Sequence, residues 1–344
     1  MNILIVKIGA IGDVVMALSA VDEINSRWPE ASITWVCGKS VESLLKCVPS
    51  IKTILTVNET NLFGGIKEAF LSLLKIRRVL AGKSFDYVLI GHSDKRYHYF
   101  CFFLGVRTKK MVGFGKWSRG RIAPVPGRYH GDEYRRMITQ IDDWQMKGAT
   151  FPKVLIPPLS EKLKLMLSSS QGKMVALAPG GARNFLADDH VRRWPIENYV
   201  SLARGLKDRN LRVLLIGDKS DCWIRPFFSE IEVVDLVGST SLTELLSTLT
   251  RMSAVITHDS GILHLALLLN KPIVALFGPT DPSGRIPRNF QSPIKVLWPG
   301  KSLPCCPCYD GKFFSNCGKN LCLEMISVAD VLENINQLLS PSGI

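Results

Sequence analysis

Residues 257–278 read THDSGILHLALLLNKPIVALFG. The apolar run Ala254-Val255-Ile256 enters this stretch, and an apolar helix leaves it after Gly261. His258, Asp259, Ser260 and Gly261 sit at the seam, and His264 follows near the start of the helix. Polar groups between two greasy elements need partners if they are buried. In a doubly wound sheet, however, the residues just after a strand face the ligand-binding edge. Ser260 or Asp259 is placed to cap the helix, leaving first-turn amides free to face an anion. Helical side chains lean toward the N-terminus, so His264 aims at the same mouth. A capping Asp beside an incidental core His is the plainer alternative.

Working outward, strand and helix signals alternate. Ile3–Ile8 is a continuous apolar run, as in a strand covered on both faces. A periodic helix from Asp13 to about Arg27 follows, then strand 32–36, helix 41–47, strand 53–57, helix 66–81 and strand 87–90. The pattern blurs between about 92 and 150. LIPPLSEKLKLMLSSSQGK, residues 155–173, reads as an inter-domain connection. A second alternation runs from strand 174–178 through helix 195–208 and strands 212–216 and 232–235. Helix 242–251, strand 254–257, helix 261–270, strand 273–277 and a capped last helix from Ser327 complete it. This order predicts an α/β protein of two doubly wound domains, 1–160 and 161–344. The last helix, about 327–340, is free to pack back on the first domain.

The 344 residues suffice for two cores, and 46% hydrophobic with 21% charged residues suits a soluble globular chain. No secretory signal or spanning segment is legible, so a cytoplasmic protein is expected. Basic residues outnumber acidic ones 23 to 13 over 1–160 but only 20 to 17 thereafter, and 95–136 holds 11 basic and two acidic residues. Such a surplus suits an anionic partner, namely a phosphorylated sugar, a lipid surface or nucleic acid, or else a solvated loop. No nucleic-acid module signature accompanies it.

Two further seams carry chemistry. In KIGAIGDVV, Asp13 opens a helix after the first strand. The glycines are Gly9 and Gly12 only, and Cys37-Gly38-Lys39 ends the second strand where a dinucleotide site would want an acid, so a Rossmann dehydrogenase is disfavoured. Asp13 also reads as an ordinary helix-start acid. In APGGARNFLADDHVRRWPIENY, Gly180 and Gly181 let backbone amides approach a ligand, and Arg183, Arg192 and Arg193 supply charge.

Together, KIGAIGDVV, APGGARNFLADDHVRRWP and THDSGILHLAL…KPIVALFGPTDP resemble the ADP-heptose:lipopolysaccharide heptosyltransferases, from residue 3 to about 325. The resemblance implies a GT-B architecture, with two Rossmann-like domains facing across a cleft. It implies inverting, metal-independent transfer of heptose or a related sugar from a nucleotide-diphosphate donor, with ADP-heptose the expected one. The acceptor would be lipopolysaccharide core or another anionic glycan or glycolipid. It places the general base on Asp13 and donor contacts on Asp259, Ser260, Gly261 and His264. Arg192 falls at a donor-phosphate position and Thr240 near the adenine; Gly180, Gly181 and Arg183 complete the nucleotide-sugar set. Gly12, Lys95, Arg96 and Arg107 fall to the acceptor, as do Lys109 and Lys110 in the basic stretch. An enzyme at the cytoplasmic face of the inner membrane, in peripheral contact with it, is expected, with no nucleic-acid partner. Ser19 departs from the family's usual proline, and 92–130 matches little of it. A sugar-nucleotide epimerase and a non-catalytic nucleotide-sugar or nucleic-acid binder are the rival readings.

Five of nine cysteines cluster in PCCPCYDGKFFSNCGKNLC, residues 304–322. Cys305 or Cys306, with Cys308, Cys317 and Cys322, offer four thiolates for a structural Zn or Fe. A reduced packed loop or a redox disulfide are the alternatives. No cofactor is expected for catalysis.

Overall fold

The computed structural model describes residues 1–60, 66–142, 148–168, 172–183, 188–309, 313–315 and 317–340. Residues 184–187 of the mid-chain motif, and 310–312 and 316 of the cysteine segment, lie outside these. The chain divides into two units, Met1–Leu155 with Pro287–Asn289, and Ile156–Ile286 with Phe290–Ile344.

The strands of the first unit are β1 (Asn2–Val6), β2 (Ser32–Gly38), β3 (Ile51–Val57), β4 (Ser84–Ile90), β5 (Arg107–Gly113) and β6 (Gly120–Arg121). They form one parallel sheet in the order β3-β2-β1-β4-β5-β6. Its helices are α1 (Ile11–Arg27), α2 (Glu42–Lys46), α3 (Ile66–Leu80), α4 (Lys95–Phe103) and α5 (His130–Thr139). Ile3, Leu4 and Val6 are fully buried, the expected fate of an apolar run in a central parallel strand. The strand order reverses between β1 and β4, so the residues after these two strands share the switch point.

The second unit repeats the plan. Strands β7 (Met174–Ala178), β8 (Arg212–Leu215), β9 (Val234–Asp235), β10 (Ala254–His258), β11 (Ile273–Leu276) and β12 (Ile294–Leu297) form a parallel sheet ordered β12-β11-β10-β7-β8-β9. Its switch point lies between β7 and β10. The helices are α6 (Glu161–Ser168), α7 (Ile196–Lys207), α8 (Leu242–Thr250), α9 (Gly261–Leu268), α10 (Leu321–Glu324) and α11 (Val328–Leu339). Helix α9 stops earlier than its apolar sequence suggests. Asn270 takes a left-handed φ of 51°, and the amides of Asn270 and Lys271 bond back to Leu267 and Ala266. The sequence left α11 free to return to the first domain; its Val331, Ile335 and Leu338 belong to the core of the second unit.

The blurred region 92–150 contains regular structure. Helix α4, KRYHYFCFF, lacks helical periodicity because aromatic residues occupy both its buried and exposed faces. Helix α5, HGDEYRRMIT, reads as polar, yet Asp132, Glu133 and Arg135 are all buried. Arg135 Nε meets Glu23 Oε2 at 2.9 Å, and Arg128 Nη1 meets Asp142 Oδ1 at 2.6 Å. Tyr134, Met137 and Ile138 bury a short apolar stripe at i, i+3 and i+4, and charge pairing compensates the buried polar residues between them. Of the basic residues expected to face solvent or a partner, Arg128 and Arg135 are therefore internal.

Candidate functional site

At the first switch point Asp13 stands in the first turn of α1, and its carboxylate accepts from Lys7 Nζ at 2.9 Å. The two ends of the pair differ. Lys7 is 2% exposed at the end of the first apolar run, whereas Asp13 is 44% exposed. A buried ammonium needs a counter-charge, so the pair fixes the carboxylate while leaving it open to solvent. Gly91 makes this fit, because a Cβ there would press on Lys7 Cδ and Tyr134 Cε1 at 3.1 Å. The Tyr134 hydroxyl donates to Gly91 O at 3.1 Å, and the His92 ring stacks on Tyr97 with centroids 4.5 Å apart. Burial, aided by the Lys7 charge, pushes His92 down to about 4, although Asp13 opposes the shift. His92 is thus a neutral imidazole at physiological pH.

Gly12 lies beside Asp13 in α1, and Lys95 and Arg96 open α4 after β4, at the same edge of the sheet. Arg96 is bonded to Asp94, with Nη2 2.7 Å from Oδ2. Arg107 is not brought here: it opens β5, at the amino end of a strand parallel to β4. Lys109 bonds Asp86 at 2.7 Å, and Lys110 lies over the Tyr87 ring.

At the second switch point Asp259 is buried behind β10, and its Oδ2 accepts from Thr280 Oγ1 at 3.0 Å. Arg192 Nη1 lies 3.0 Å from Asp259 O and 3.5 Å from Oδ2, and Arg285 Nε lies 3.7 Å from Oδ2. Burial works to raise the Asp259 carboxyl, but Arg285, Arg192, His264 and Thr280 outweigh it and lower it. Asp259 is therefore an anion held by cations. Arg192 also pairs with Asp189 at 3.0 Å, yet its buried Nε has no acceptor among the described residues.

Neither expected cap is used. Asp259 turns to Thr280 and the arginines, while Ser260 Oγ lies 3.2 Å from Thr257 Oγ1 and makes no cap bond to α9. The Gly261 terminus thus keeps unsatisfied first-turn amides beside Arg192. His264, 4% exposed, stands on this first turn.

The glycine turn after β7 departs from expectation. The Gly181 amide donates to Asp221 Oδ1 at 2.8 Å, and Gly181 O accepts from Arg193 Nε at 2.9 Å, so this amide is already engaged. At Gly180 a Cβ would meet Asp221 Cγ at 2.3 Å, which excludes any larger residue. Arg183 is exposed and bonded to Asp188. Thr240 is half-buried between β9 and α8, just ahead of the Ser241–Glu244 capping box.

The cysteine segment adjoins this edge. Cys306, not the exposed Cys305, is buried with Sγ 3.0 Å from Gly278 O, and a Cβ on Gly278 would lie 2.9 Å from Cys322 Sγ. Burial, then the nearby thiols of Cys306, Cys308 and Cys317, push Cys322 up to about 11. Among the described residues no three His, Cys, Asp or Glu side chains gather as a metal ion requires. The segment also presents Tyr309 and Phe314, stacked at 4.6 Å, against Arg285 and Arg192 respectively.

Two parallel doubly wound units, with Arg192, Arg285 and an uncapped helix terminus gathered after β10, fit the fold class of the GT-B glycosyltransferases. The family model "Glycosyltransferase family 9 (heptosyltransferase)" matches residues 74–305, and the chain belongs to that family. It is 24% identical over 306 residues to the lipopolysaccharide core heptosyltransferase OpsX of Haemophilus influenzae, covering 84% of this chain and 82% of that one. It is 25% identical over 370 residues to lipooligosaccharide heptosyltransferase 2 of the same organism, covering 99% and 100%. The solved structure of E. coli ADP-heptose lps heptosyltransferase II superposes with a TM-score of 0.75 at 21% identity over 98% of each chain. The match decides for a transferase over the epimerase and the non-catalytic binder.

His258 offers a test of the second switch point. It is fully buried, with Nδ1 3.2 Å from the Tyr199 hydroxyl, and burial drives it down to about 3. Because the folded value lies below the unfolded one near 6.5, the unfolded chain takes the proton first, and stability falls as pH drops below about 6.5. Urea unfolding should lose about 2 kcal/mol per buried neutral histidine between pH 6.5 and 5. His258→Gln should remove one histidine's share of that slope; an unchanged slope would show that His258 is already charged in the native state.

Proposed function

We propose that the protein transfers heptose from ADP-heptose to a hydroxyl of lipopolysaccharide core, with inversion and without a catalytic metal. One observation carries the donor half: Arg192 holds a buried Nε with no acceptor among the described residues, beside the uncapped terminus of α9 and next to Asp259. A guanidinium donor and open helix amides suit a diphosphate. Arg285 joins Arg192 at Asp259, so two guanidiniums stand beside the open end of α9, where the leaving diphosphate would bring further negative charge. His264, Ser260, Gly261 and Thr240 are assigned to the sugar nucleotide on the strength of the family motif. Gly180 and Gly181 shape the turn, and Arg183 lies at its rim.

In the first unit Asp13 takes the proton from the acceptor hydroxyl as its oxygen bonds the anomeric carbon. The bond from that carbon to the donor phosphate breaks, and the diphosphate leaves with the electron pair. Lys7 orients the carboxylate, and Gly12, Lys95 and Arg96 lie on the acceptor side. A positioned base contributes about 10²–10⁴-fold, or roughly 3–5 kcal/mol, short of the ~8 kcal/mol at the low end for enzymes. The remainder falls to leaving-group stabilisation and substrate alignment. A glycolipid acceptor supports peripheral contact with the cytoplasmic face of the inner membrane.

Asp13→Asn should preserve ADP binding by calorimetry while cutting heptosyl transfer by about 10²-fold or more; near-normal turnover would remove the base assignment. Arg192→Ala should weaken ADP binding by about tenfold or more while leaving adenosine binding nearly unchanged. Equal losses for both would take Arg192 away from the phosphates. The cysteine segment is assigned a packing role, its thiols reduced, so elemental analysis of protein purified without added metal should find no stoichiometric zinc or iron. One metal ion per chain would restore a thiolate centre.

A further inference from the structure

Two depressions on the first unit have no part in this chemistry. One, of about 440 Å³, is lined by Arg77, His98, Phe102 and Met111 among others. The second, of about 250 Å³, is lined by His98, Met111, Lys109, Trp117 and Arg119. Sharing His98 and Met111, they adjoin one another.

The helix that borders them is unusual. Lys95, His98, Tyr99 and Phe102 recur at i, i+3, i+4 and i+7 along α4 and so form one stripe. Tyr99 is 60% and Phe102 84% exposed, while Phe100 and Cys101 on the other side are buried in the core. The core therefore accounts for one apolar face and leaves the second unexplained. Helix α3 extends the patch: Phe70 and Leu71 are exposed, and the Phe70 ring lies 5.7 Å from that of Phe103, over which Arg77 also sits. Trp117, 60% exposed, closes the far end.

The charged side chains that line the two depressions, Arg77, Lys109 and Arg119, have one sign. Arg107, Lys116 and Arg119 are exposed, and no acidic side chain lines either depression. Lys109 is committed to Asp86 and is left out of the count. A second copy docking through the same face would set these cations against their own equivalents. Aromatic rings interspersed with arginine and lysine suit instead the boundary between acyl chains and anionic headgroups.

We propose that this face of the first unit docks on an anionic phospholipid bilayer. Phe102 and Trp117 enter the interface, and Arg107, Lys116 and Arg119 face the lipid phosphates. Arg107, which the sheet keeps away from Asp13, thereby has a role. The proposal locates the membrane contact of the glycolipid-acceptor reading and rests on that reading only for its purpose. Docking is measured without donor or acceptor, so failure of either leaves the other standing.

The test is co-sedimentation of the full chain with large unilamellar vesicles of phosphatidylglycerol and phosphatidylethanolamine, against phosphatidylcholine alone. Partitioning should be about tenfold or more stronger on the anionic vesicles and fall with salt. The double variant Phe102→Ser, Trp117→Ser should lose about tenfold or more of it with an unchanged thermal melt. If that variant fails to fold, the exposed charge variant Arg107→Gln, Lys116→Gln, Arg119→Gln should show the same loss. Unchanged partitioning in a folded variant overturns the proposal, as does equal binding to phosphatidylcholine. A dimer in sedimentation velocity that the double variant dissociates would overturn it in favour of self-association.

Discussion

The second unit depends on keeping a buried carboxylate ionised. Removing Asp259 from water costs several kcal/mol, and no single partner in the site offsets that. Arg192 at 3.5 Å, Arg285 at 3.7 Å and the Thr280 hydroxyl at 3.0 Å do so together. These partners come from two segments, following β7 and β11, while Asp259 itself follows β10, so the carboxylate fixes where the three loops meet. The same arrangement draws two guanidiniums to the open end of α9. On the proposed reading, structure and diphosphate binding therefore have one electrostatic origin, and loss of either arginine would disturb both.

The first unit solves the mirror problem. There the cation, Lys7, is buried and the carboxylate of Asp13 remains half in water. The base of the proposed reaction must reach an incoming hydroxyl and release its proton afterwards, which a sealed carboxylate could not do. Asp259, by contrast, has no proton to exchange and can be enclosed. Exposure rather than residue type separates the two acids, although both follow a strand at a switch point.

Position after a strand was what made the site readable. Asp13, Asp259 and the α9 terminus stand where apolar runs end, and runs of buried residues identify strands well. Lys7, His92, Tyr97, Tyr134, Asp221, Thr280 and Arg285 escaped because their roles depend on contacts between distant segments. Lys7 gave one overlooked signal, a cation inside the first apolar run. The glycine turn misled for a related reason: two glycines suggested two free amides, and only the fold shows Asp221 occupying that of Gly181. At the cysteines, spacing from Cys308 pointed to Cys305, whereas the fold buries Cys306 and leaves Cys305 exposed.

The charge surplus of the first half shows why composition alone misjudges a surface. Over 95–136 the sequence holds 11 basic and two acidic residues. Arg128 and Arg135 are internal, bonded to Asp142 and Glu23 from outside that window, and Arg136 is bonded to Glu133. These arginines stabilise α5 and project little field. Arg96 and Lys109 are likewise committed to Asp94 and Asp86. What remains is a smaller set of exposed cations, and part of it borders aromatic rings that the core does not need. A segment too polar for one periodicity and too aromatic for the other thus separates, once folded, into an internal ion-paired helix and an external amphipathic face.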